Sequence, residues 1–60
     1  MTETQRENIV MDLRAMAMQM EYTAREMVAL GGRCAVKAVE LSGSATLAMS
    51  WADAIEGGDE

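Results

Sequence analysis

Between Ile9 and Met27 the apolar residues fall into two stripes at helical spacing. One runs Ile9, Leu13, Met16, Met20, Met27 and the other Met11, Ala15, Met18, Tyr22. At about 100° per residue the two lie on nearly opposite sides of a helix. A helix apolar on both sides has to be covered on both sides. The rest of so short a chain supplies one cover, and a second copy or a different protein has to supply the other.

The same pattern sets the element boundaries. Thr4-Gln5-Arg6-Glu7 has the S/T-x-x-E form of a capping box, in which threonine and glutamate each satisfy a free backbone N–H, so a helix is expected from about residue 4. No helix breaker intervenes before Leu30, and Gly31-Gly32 then offers the positive-φ backbone that ends a helix. Beyond the glycines, Cys34, Ala38, Leu41, Ala45, Ala48, Ala52 and Ile55 repeat at 4-3 spacing, a seam thin enough for close helix approach. Ser42-Gly43-Ser44 interrupts it with a glycine that costs roughly 1 kcal/mol relative to alanine and serines able to cap a new helix. Two readings are open: one helix over residues 33–56, or two over 33–41 and 44–56. The unbroken 4-3 phase favours the first, with Gly43 opposite Met20 as a point of close packing.

The fold class that follows is all-α: an antiparallel helical hairpin, helix about 4–30, turn Gly31-Gly32, helix about 33–56, in one domain over residues 1–60 with a short acidic tail at 57–60. At about 1.5 Å per residue the helices come to about 40 and 36 Å, well matched for pairing.

Size adds a constraint. A chain of 60 residues buries only about 60% of the surface its unfolded form exposes, so it needs a further source of stability. One cysteine cannot form an internal disulfide, and without histidine a zinc site lacks its commonest ligand. Oligomerisation is the remaining route, and two hairpins pairing about a twofold axis into a four-helix bundle would bury both seams. A homodimer is therefore expected.

Net charge is −5, which disfavours generic binding to phosphate backbones, and the acidic residues are interspersed like a solubilising surface. The polar start MTETQREN has no apolar core of a signal peptide, which makes the cytoplasm the expected location. The apolar run from Leu41 to Ala52 is about half of a membrane span, and no membrane role is expected.

Candidate chemistry is sparse. With no histidine, a general base would have to be a carboxylate, yet every Asp and Glu falls on a polar lane or a terminus, so neither catalysis nor a cofactor or metal is expected. Cys34 sits near Arg33 and Lys37, which favours its thiolate, but its seam position reads more simply as a small core residue. Five of the seven methionines lie between Met11 and Met27, and methionine is the flexible side chain that adapts to irregular partners. Met16, Met20 and Met27 join Ile9 and Leu13 in the core or dimer, against Ala38, Leu41, Ala45, Ala48, Ala52 and Ile55. Met11, Met18 and Tyr22 point away once the hairpin closes, either as dimer contacts or as a docking face for another protein. Trp51 is a hot-spot candidate, and Arg14 and Arg25 flank the second stripe to set orientation.

A capped first helix, a two-residue turn, an alanine-rich second helix and an acidic tail in about sixty residues resemble Rop-like homodimeric hairpins, which form antiparallel four-helix bundles and bind paired RNA loops. The resemblance implies the bundle. It does not carry RNA binding over, because Arg14 and Arg25 share their lane with Glu7 and Glu21. By type, the chain also resembles small phage- or plasmid-encoded accessory proteins that block host regulators. The expected function is therefore a non-enzymatic homodimer that binds and inhibits or regulates another protein. The alternatives are an RNA-binding bundle using Arg6, Arg14 and Arg25, and an acidic mimic of nucleic acid using Asp12, Glu21 and Glu26.

Overall fold

A computed structural model describes residues 1–58; the Asp59-Glu60 end of the expected tail lies outside the described residues. Two helices, α1 (Glu3–Leu30) and α2 (Gly32–Glu56), pack along their whole length as an antiparallel hairpin 44 × 16 × 11 Å. Neither helix is long and apolar enough to cross a membrane.

The start of α1 corrects the expected cap. Thr2, not Thr4, is the N-cap: its hydroxyl accepts from the Gln5 N–H at 3.1 Å while the Gln5 side-chain oxygen accepts from the Thr2 N–H at 2.9 Å. Thr2-Glu3-Thr4-Gln5 is the same reciprocal box with glutamine in place of glutamate, and starting two residues earlier adds to the helix. At the other end Gly31 alone separates the helices. Its φ of 76° and ψ of −169° turn the chain back, its N–H donates to the Val28 carbonyl and its own carbonyl accepts from Ala35. Gly32, expected in the turn, is already the first residue of α2.

The second helix is unbroken across Ser42-Gly43-Ser44. Ser44 donates its hydroxyl to the Glu40 carbonyl and Thr46 donates to that of Ser42, so these hydroxyls fold back on their own helix instead of capping a new one. Gly43 is not the close-packing point expected opposite Met20. A Cβ built on it would meet nothing within 4 Å, because it faces outward.

The core is made of small residues from both helices. Val10, Ala17 and Ala24, seven apart on α1, meet Ala38, Ala45, Ala48 and Ala52 on α2, with Leu13 and Met20 packed against the central trio Ala17, Ala45 and Ala48. This corrects the α1 stripe: Leu13, Met20 and Met27 are half-buried as expected, but Ile9 and Met16 are exposed and Val10, Ala17 and Ala24 take the inner line. Where helices approach closely, only short side chains fit between the axes, and longer ones are displaced to the flanks. On α2 the expected seam is in place from Ala38 to Ile55, with Leu41 and Ile55 half-buried. Its first member is not, since Cys34 is exposed and the neighbouring Ala35 is half-buried instead. No large side chain is fully buried among the described residues, so the interior of the lone hairpin is thin.

Candidate functional site: two faces of the hairpin

The seam divides the ribbon into two broad faces. On α1 the inner positions recur as 10, 13, 17, 20, 24 and 27; the lane on one side carries Glu7, Arg14, Glu21 and Val28, and the lane on the other carries Ile9, Met16, Thr23 and Leu30. Contacts across the hairpin show how the α2 lanes match. Arg14 reaches Asp53 and Glu56, and farther along a groove brings Glu21, Arg25 and Val28 beside Val39, Ser42 and Thr46. These lanes share one face. The remaining ones, Ile9, Met16, Thr23 and Leu30 from α1 with Lys37, Ser44 and Trp51 from α2, share the opposite face.

On the first face Arg14 forms a clasp near the open end. One guanidinium nitrogen donates to Glu56 at 3.2 Å, and the other donates to Glu56 at 2.9 Å and to Asp53 at 3.0 Å. The two-point geometry matches a planar guanidinium to a planar carboxylate. Arg14, expected to flank a partner, is thus tied to carboxylates of its own chain. Hydrogen bonding to Arg14, reinforced by its charge, holds the Glu56 carboxyl below its usual value near 4.5, and the two carboxylates push the guanidinium pKa up. A lowered carboxyl pKa in the folded state gives a contribution fully present above the unfolded value and lost as pH falls through the folded one. Wild type is therefore expected to lose more melting temperature than Glu56→Gln between about pH 7 and about pH 3, read by circular dichroism. Equal losses would show that the clasp adds nothing.

Arg25 is exposed, and the expected Glu21–Arg25 pair is not formed; Arg6 pairs with Glu3 at 3.9 Å, and Lys37 with Glu40 at 3.7 Å. Met11, Met18 and Tyr22 stand at the outer edge of this face, 63%, 70% and 58% exposed. Met11 and Met18 also line a groove with Glu7, Val10, Arg14 and Glu56, so the apolar stripe and the clasp adjoin. Trp51 is 54% exposed but lies across the ribbon, so it does not join Met11, Met18 and Tyr22 in one patch.

Asp53 and Glu56 are the residues that sequence reasoning missed. They lie 39 and 42 positions from Arg14, and only the register of the closed hairpin brings them together. Among the described residues, no group of three or more His, Cys, Asp or Glu side chains is placed to hold a metal ion. Compared with protein-family models, curated proteins and solved structures, the chain matches none.

Proposed function

We propose that this chain is a non-enzymatic, cytoplasmic homodimer that works by binding another protein through Met11, Met18 and Tyr22, and that binding inhibits or regulates the target. One observation carries this reading: the stripe stays mostly in water after α1 has closed on α2. Two methionines at i, i+7 with a tyrosine four residues beyond make a run of adaptable apolar surface with one polar tip. Arg25, two turns beyond Met18 on the same lane, is exposed and in no ion pair among the described residues, so it can orient a partner in the way expected of Arg14. Protein is favoured over RNA as the target because two of the three α1 arginines, Arg6 and Arg14, are already in ion pairs with carboxylates.

A pull-down from the native host with wild type and Met18→Glu tests the reading. The exposed site should tolerate glutamate, leaving helicity unchanged, while capture of the specific partner falls at least about tenfold, the loss of a typical hot-spot contact. Capture by the wild type should be nearly independent of salt, where a nucleic-acid contact would weaken steeply. Undiminished capture by Met18→Glu would refute the reading.

A further inference from the structure

We infer that a second copy of this chain packs on the face carrying Ile9, Met16, Leu30 and Trp51, leaving Met11, Met18 and Tyr22 outside the dimer. The inference rests on the homodimeric part of the reading above and assigns it a surface.

The first argument is area. A compact monomer of 6.5 kDa is expected to expose about 3,800 Å², whereas this hairpin exposes 4424 Å². The excess of roughly 600 Å² approaches the about 800 Å² that each partner contributes to a standard interface. The second is charge. The lanes that adjoin the seam on this face, Ile9, Met16, Thr23 and Leu30 with Lys37, Ser44 and Trp51, contain a single charged residue, Lys37, with Asp12, Glu26 and Glu40 one lane farther out. The lanes that adjoin the seam on the opposite face hold four, Glu7, Arg14, Glu21 and Glu56. Burying the strip beside the seam on the first face covers Lys37 alone and leaves Asp12, Glu26 and Glu40 at its rim. Burying the second would desolvate the clasp.

Packing points the same way. Leu13, Met20, Met27, Leu41 and Ile55 are half-covered by the hairpin and lean toward this face, so a facing copy would complete their burial and thicken a core with no fully buried large side chain. Small Thr23 lies between large Met16 and Leu30 on α1 and small Ser44 between Lys37 and Trp51 on α2, a relief that a twofold-related copy can fill. A second copy is favoured over a foreign protein because a hairpin with so thin a core gains stability from the cover, and only its own kind is present whenever it is made.

Trp51 is the sole tryptophan and a reporter in the unaltered chain. Mass from sedimentation equilibrium should approach twice 6.5 kDa at high concentration. On dilution the mass should halve while Trp51 emission shifts to the red and iodide quenching rises in step. Met16→Glu should weaken the dimer at least about tenfold, and Met18→Glu less than about threefold. A monomer at every concentration overturns both the inference and the homodimer. A dimer whose dissociation leaves Trp51 emission unchanged, or which Met18→Glu breaks and Met16→Glu does not, overturns only the choice of face. If Met16→Glu fails to fold, the dilution series on wild type still decides.

Discussion

Ala17→Leu is expected to lower the melting temperature by about 5–20 °C, one of the two largest effects of a single substitution in this chain. Ala17 is 1% exposed and packs with Ala45 and Ala48 at the centre of the seam. Leucine adds three carbons where there is no room. Either it adopts a strained rotamer or the helices spread, and overpacking of this kind costs about 1–3 kcal/mol. Against a total of about 3–9 kcal/mol for a chain this length, that is a large fraction. Spreading would also pull Arg14 from Asp53 and Glu56, which it reaches only across the closed seam. Met11→Leu, at an exposed position, is the control and should melt within about 2 °C of wild type. If Ala17→Leu does the same, the alanines are not the contact line.

The alanine line also shows how far the sequence could be read. Two helices, the glycine turn, the continuity of α2 and its seam from Ala38 to Ile55 were legible because the 4-3 spacing involves residues that all end up inside or half-inside. On α1 the same rule had a choice of faces and was drawn to the large side chains. Leu13, Met20 and Met27 belong to both the expected and the observed stripe, while Ile9 and Met16 gave way to Val10, Ala17 and Ala24. Hydrophobic size selects the side of the helix that wants cover, whereas close approach selects the side that is smallest. A usable signal was present: Ala17 and Ala24 stand seven apart, as do Ala38, Ala45 and Ala52. Two alanine repeats of equal period in one chain are the pattern of helices packed at short distance.

At the candidate site the exposure of Met11, Met18 and Tyr22 was legible, since they lie far round α1 from either version of its inner line. The clasp was not. Arg14 looks the same in sequence whether it faces water, a partner or Glu56, and its role is set by helix register, which depends on where the turn falls. The corrected inner line also changes the meaning of the second cover that α1 demands. Ile9 and Met16 flank the seam on one side and Met11 and Met18 lie farther round α1 on the other, so two different occupants can be accommodated at once.

Gly31→Ala is expected to match the damage done by Ala17→Leu without touching the core. At φ 76° and ψ −169° the backbone of Gly31 sits in a region open essentially to glycine alone, and a side chain there costs about 1–3 kcal/mol. The cost is conformational and not a clash, because a Cβ at Gly31 would meet nothing within 4 Å. A fall in melting temperature of about 4–20 °C should follow. Gly43→Ala has the opposite sign. Its site is equally open but its backbone is helical, so alanine should stabilise by about 0.5–1 kcal/mol. The two positions are about 18 Å apart along α2 at its rise per residue, far enough for their effects to add. The double variant should therefore melt between the two single ones. If Gly31→Ala melts with wild type, the backbone of Gly31 is not what sets the turn, and the register that joins Arg14 to Glu56 must rest on Gly32, also at positive φ, and on the alanine seam.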